Sequence, residues 1–106
     1  KKISLSAGTY KDDDNKPYIL ECVRKAQEIH LNKKLDMEYL GIDGLASFIN
    51  NSLKLAYTDK NKSLNNGEIA GIQTLSGTGA LRLGFDLIKE FYPTKVLVPE
   101  PTWPNH

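Results

Sequence analysis

The sequence is poor in the residues that would mark several function classes. It holds one cysteine, Cys22, so no internal disulfide can form and a cysteine-rich metal site is excluded. A single unpaired thiol fits a reducing compartment, and a cytoplasmic location is expected, with a mitochondrial one left open. No apolar run approaches the roughly 18 residues that a bilayer span requires. No excess of one charge exists either: 14 basic and 13 acidic residues leave a net charge of +1. The basic residues lie scattered among acids, which speaks against a nucleic-acid surface with its one-sided Lys and Arg. Repeats, low-complexity tracts and a secretory signal pattern are missing. The chain opens on Lys1 rather than methionine, so its start is uninformative about targeting.

What is present describes an ordinary folded chain. Of the 106 residues, 40% are apolar and 25% charged, richer in apolar residues than a disordered chain. That length suffices for one small domain and not for two. Residues 3–10 alternate Ile3, Leu5 and Ala7 with small polar residues, an extended segment. The stretch 11–16 (KDDDNK) is a turn; Asp12, Asp13 and Asp14 lack the alternating ligands and later Glu of a calcium loop. Pro17 stands where helices begin, and Leu20, Val23, Ala26 and Ile29 trace an apolar face over 17–31. Residues 32–44 read as an ordered loop. A second helix follows Asp43, a candidate N-cap, with Leu45, Phe48, Ile49, Leu53, Ala56 and Tyr57 as its apolar set. Residues 58–67 form a polar surface loop.

The last third carries the chemistry. Ile69, Ala70, Ile72 and Leu75 make a short apolar strand that runs into Ser76-Gly77-Thr78-Gly79. Ala80, Leu81, Phe85, Leu87, Ile88 and Phe91 mark a third helix, and Val96-Leu97-Val98 a second strand. Strand, helix, strand predicts a βαβ unit of a parallel sheet, hence an α/β fold. Such sheets are covered on both faces. These few elements cannot do that, so the chain is expected to be part of something larger.

Glycines in the SGTG turn admit close backbone approach. The free amides and dipole of the following helix attract phosphate, and Ser76 and Thr78 add hydroxyl donors. A merely structural turn fits as well. A Walker A loop would need Gly-Lys-Ser/Thr where Gly79-Ala80-Leu81 stand, and a dinucleotide fingerprint would need a third small residue in place of Arg82. In the tail 99–106, Trp103 between two prolines either lays its ring on a flat ligand or plugs an interface. His106 either carries a proton or is solvated. Tyr39 and Cys22 read as packing residues.

Taken in order, SLSAGTYKDD, KPYILECVRKA, EYLGIDGLASF, IQTLSGTGALRLG and PEPTWPNH resemble the aspartate aminotransferases among the class I, fold type I enzymes that use pyridoxal 5'-phosphate. The likeness covers essentially the whole chain, and SGTGALR followed by PTW-x-NH is its specific part. Ser6 replaces a usual glycine, and Gly41 and Cys22 replace usual prolines. The resemblance implies that Ser76, Gly77 and Thr78 hold the cofactor phosphate and that Trp103 stacks on its pyridine ring. Tyr39 would reach the cofactor phosphate of the neighbouring subunit of a homodimer. Gly8 would lie in the segment closing over the substrate, and Asn105 would face cofactor and substrate. His106 would support the acid that pairs with the pyridine nitrogen.

It further implies that 1–16 belongs to the small domain and substrate lid, and 17–106 to the first part of the large cofactor-binding domain. Amino-acid and 2-oxo-acid substrates are expected, and neither nucleic acid nor membrane. None of the twelve lysines matches the family's Schiff-base lysine, so this stretch alone is expected to be inactive. An aromatic-amino-acid aminotransferase of the same subgroup, or a non-catalytic binding module, are the alternatives.

Overall fold

In the computed structural model, residues 8–106 are described; of the extended segment expected at 3–10, residues 3–7 lie outside them. The chain divides into two compact units, Lys1–Glu38 and Tyr39–His106.

The first unit begins with a tight reversal. Asp12 accepts two backbone N–H groups at its Oδ1, from Asp14 at 3.0 Å and Lys16 at 2.9 Å, and thereby folds the KDDDNK stretch on itself. An antiparallel bridge pairs Lys11 with Pro17, the Tyr18 N–H donates to the Tyr10 carbonyl at 3.1 Å, and the two tyrosine rings sit 5.9 Å apart. This reversal overturns the expected helix start. Pro17 is spent closing the turn, so helix α1 runs over Glu21–Lys33 instead of 17–31. Glu21 and Lys25 form an exposed i,i+4 ion pair at 2.8 Å on it, an arrangement worth about 0.3–0.5 kcal/mol.

The second unit holds α2 (Ala46–Tyr57), α3 (Lys62–Asn65) and α4 (Ser76–Phe91). Helix α2 starts past the expected site: Asp43 does not cap it, because the loop before it is tied elsewhere. The expected surface loop 58–67 contains α3, one turn capped by Asn61, whose Oδ1 accepts the Leu64 N–H at 3.0 Å. Glu68, beside it, accepts from the Ser63 hydroxyl and then the Asn66 amide, which holds its carboxyl below the usual value. α3 packs on α2, and Ile49, Leu53, Leu64 and Ile69 are half-buried there. Gly71 lies so close that an added Cβ would meet Ile49 at 3.0 Å and Leu53 at 3.4 Å. On α4 the half-buried positions Leu81, Gly84, Phe85 and Ile88 follow the i, i+3, i+4, i+7 stripe of an amphipathic helix.

The expected βαβ unit is not seen. Residues 68–75 and 92–99 flank α4 as predicted, yet among the described residues neither forms a ladder. A strand exists only through a partner's hydrogen bonds, and these two segments do not pair with each other.

No described residue is buried. Leu75 is 90% and Leu97 89% exposed, although fully burying one such side chain is worth about 1.5–3 kcal/mol. The apolar faces are therefore surfaces waiting for cover. Expressed alone, residues 1–106 should show no cooperative thermal transition and should bind a hydrophobic dye, since cooperativity needs a shared packed core. A sharp calorimetric peak would contradict this.

Candidate functional site

The SGTG segment is the first turn of α4 itself, not a turn preceding it as expected. Leu75 is the N-cap residue and Ser76 the first helical residue. The Ser76 N–H donates to the Thr74 carbonyl at 3.0 Å, and the Gly79 N–H to the Leu75 carbonyl at 3.0 Å. Between them the amides of Gly77 and Thr78 have no intrahelical acceptor, and the positive end of the helix dipole lies there. Ser76 has φ +55, a left-handed conformation that costs a non-glycine residue about 1–2 kcal/mol. Thr74 holds it there, its hydroxyl donating to the Ser76 carbonyl at 3.2 Å. The glycines allow close packing: a Cβ on Gly79 would approach Leu75 at 3.3 Å.

The tail returns to this helix end. Trp103 lays its ring against Gly77, where an added Cβ would sit 3.6 Å from the ring. Trp103 shares a cleft of about 480 Å³ with Gly77, Ala80, Leu81, Gly84, Phe85 and Ile88. The Asn105 amide donates to the Thr78 hydroxyl at 2.9 Å. The His106 N–H donates to the Trp103 carbonyl at 3.3 Å, and its ring meets the indole edge-on, centroids 5.7 Å apart.

Five of the candidates therefore converge: Gly77, Thr78, Trp103, Asn105 and His106, with Ser76 at the same helix end. A planar anion fits this set. It offers free amides, hydroxyls and an aromatic face with no carboxylate among them. Tyr39 is not drawn in; it lies in the loop leading to α2, 97% exposed. Gly8 belongs to the other unit, with no atom within 4 Å of an added Cβ.

Two residues escaped the sequence reading. Gln73 accepts the Leu45 N–H at its Oε1, 2.8 Å away, and its own N–H donates to the Asp43 carbonyl at 3.0 Å. Gly44, between those partners, has φ +96. The available signal was the polar pair Gln73-Thr74 inside the otherwise apolar run 69–75.

The family model for aminotransferase class I and II matches residues 1–106. The mitochondrial aspartate aminotransferase of Xenopus tropicalis is 44% identical over 108 residues, covering 100% of this chain and 25% of that protein. The Arabidopsis thaliana mitochondrial enzyme is 45% identical over 106 residues, covering 99% and 24%. Among solved structures, the cytoplasmic aspartate aminotransferase of Giardia lamblia superposes with a TM-score of 0.80 at 35% identity, covering 94% of this chain and 24% of that one. The chain thus spans about a quarter of the length of the relatives it matches.

Proposed function

The chain belongs to the class I and II aminotransferase family, and from that premise we propose that its parent protein is a pyridoxal-phosphate-dependent aspartate aminotransferase. It moves the amino group of L-aspartate to 2-oxoglutarate and yields oxaloacetate and L-glutamate. The observation that carries this reading is the convergence of Trp103 and Asn105 on the amino end of α4. Relatives named for aspartate, rather than aromatic, substrates support the same branch.

The Gly77 and Thr78 amides and the Ser76 and Thr78 hydroxyls hold the cofactor phosphate. Asn105 sets the direction of one of these donors. Because the Thr78 oxygen accepts from the Asn105 amide, its own proton is left to donate to the anion. The Trp103 face covers the pyridine ring, and His106, edge-on to Trp103, supports the acid partnering the pyridine nitrogen. Asn105 also faces the substrate, Gly8 lies in the closing segment, and Tyr39 reaches the phosphate held by the second subunit of a homodimer. Pyridoxal phosphate, when bound, supplies an aldehyde for the substrate amine and a ring that stores the released electrons. The lysine that handles the α-proton belongs to the remainder of the parent.

Residues 1–16 form part of the small domain and 17–106 the start of the large one. The segments 69–75 and 96–98, unpaired among the described residues, would become strands of a parallel sheet only beside neighbours from that remainder. No helix of the described residues is long and apolar enough to cross a membrane. The parent's compartment is cytoplasmic or mitochondrial: the lone free Cys22 suits either, the curated relatives cited above are mitochondrial, and cell fractionation separates the two.

The full-length parent, given L-aspartate, 2-oxoglutarate and pyridoxal phosphate, should form oxaloacetate, detectable by coupled reduction with NADH. Absence of oxaloacetate from a folded, cofactor-loaded protein would sink the aspartate reading.

A further inference from the structure

The run 69–75 is apolar except for Gln73 and Thr74, and Gln73 turns its amide to the loop 39–45 rather than to α4. Its N–H donates to the Asp43 carbonyl at 3.0 Å, and its Oε1 accepts the Leu45 N–H at 2.8 Å. Only the amide oxygen can accept, so the partner fixes which way the Gln73 head points. Gly44, between the two contacts, leaves no gap: a Cβ there would fall 2.3 Å from the Gln73 Cβ. The Gly44 N–H returns to the Gly41 carbonyl at 2.9 Å, so residues 41–45 form one closed turn clamped on Gln73. Tyr39 lies two residues before that turn. Ser76, at the phosphate-facing end of α4, lies three residues after Gln73.

We propose that Gln73 is a positioning residue that fastens the Tyr39 loop to the base of the phosphate-binding turn, so that both are presented as one rigid piece. The proposal rests on the functional reading above and deepens it. Gln73 acts through the loop, its side chain and N–H being committed to Leu45 and Asp43. In a homodimer where Tyr39 serves the partner's cofactor, Gln73 links the phosphate site of its own subunit to that of its neighbour. Its loss leaves the Leu45 N–H without its acceptor and frees the turn, and cofactor affinity falls through Tyr39.

The test measures pyridoxal phosphate binding to the full-length apo-dimer by fluorescence titration, with thermal unfolding alongside. Removing a hydrogen bond to a charged phosphate, as in Tyr39→Phe, should weaken binding about 10-fold. Gln73→Met keeps the side-chain length, removes the acceptor and should weaken binding about 5-fold in the wild-type background. In the Tyr39→Phe background it should add less than about 2-fold, because residues acting through one another are non-additive. Gln73→Glu retains an oxygen for the Leu45 N–H and should stay within about 3-fold of wild type. Should Gln73→Met fail to fold, Gln73→Asn, which keeps the carbonyl one methylene short, gives the same cycle with smaller steps. Equal loss in both backgrounds, or a lowered melting temperature with unchanged affinity, overturns the proposal. Unchanged affinity in Tyr39→Phe with weakened binding in Thr78→Val also overturns it and leaves the phosphate site standing. Unchanged affinity in Thr78→Val and Ser76→Ala together removes the functional reading, and the proposal with it.

Discussion

Replacing Gly44 by alanine in the full-length parent lowers its stability by about 2–5 kcal/mol. Two costs add at this position. The backbone holds φ +96, which an L side chain adopts only with strain, about 1–2 kcal/mol. The new methyl would also stand 2.3 Å from the Gln73 Cβ and 2.7 Å from its Oε1, far inside van der Waals contact. Relief requires moving the Gln73 backbone, which breaks its bonds to Asp43 and Leu45, and overpacking of this kind costs about 1–3 kcal/mol. Gly67→Ala is the matched control. It has φ +73 with nothing within 4 Å, so it carries the strain alone and should cost about 1–2 kcal/mol. The midpoint of urea unfolding, compared across the pair, reads the difference. Equal midpoints would show that the clamp around Gly44 yields freely and is no structural constraint.

The second large effect falls on the phosphate site. The double variant Ser76→Ala, Thr78→Val should weaken pyridoxal phosphate binding by about 100- to 10,000-fold. In the proposed site each hydroxyl would donate to a charged acceptor, a bond worth about 1.5–3 kcal/mol, or roughly 10- to 100-fold. Thr78→Val is the more costly half because it also strands the Asn105 amide, now bonded to the hydroxyl at 2.9 Å. The total falls below the product of the two if the free amides of Gly77 and Thr78 take up part of the load. Titration of the apo-protein gives the dissociation constants, and Lys54→Ala on exposed α2 serves as the control that should change nothing. A double variant binding within threefold of wild type would mean the amino end of α4 holds no phosphate.

Much of the site was legible in the chain because its parts are contiguous. Ser76, Gly77 and Thr78 announce themselves as small donors entering an amphipathic helix, and that period survives in Leu81, Gly84, Phe85 and Ile88. The long-range partners were not legible. The bond from Asn105 to Thr78 spans 27 residues and that between Gln73 and Leu45 spans 28, and no local pattern encodes such pairs. The start of α1 was misplaced for a related reason. Pro17 is as suitable for a helix start as for a tight reversal, and the pairing of Lys11 with Pro17 decided between them.

The sequence by itself determined the apolar periods of α2 and α4, the cluster of small donors at Ser76, Gly77 and Thr78, and which family the motifs resemble. Those properties follow from side-chain type and short spacing, which the chain carries wherever it is placed. Tertiary structure decided which candidates meet. It seats Trp103 against Gly77, directs the Thr78 hydroxyl through Asn105, and locks the Tyr39 loop to Gln73 across a glycine that has no room for a side chain. It also decided that 68–75 and 92–99 form no strands among the described residues. A strand is defined by its neighbour's hydrogen bonds, and apolar residues alone do not supply the neighbour.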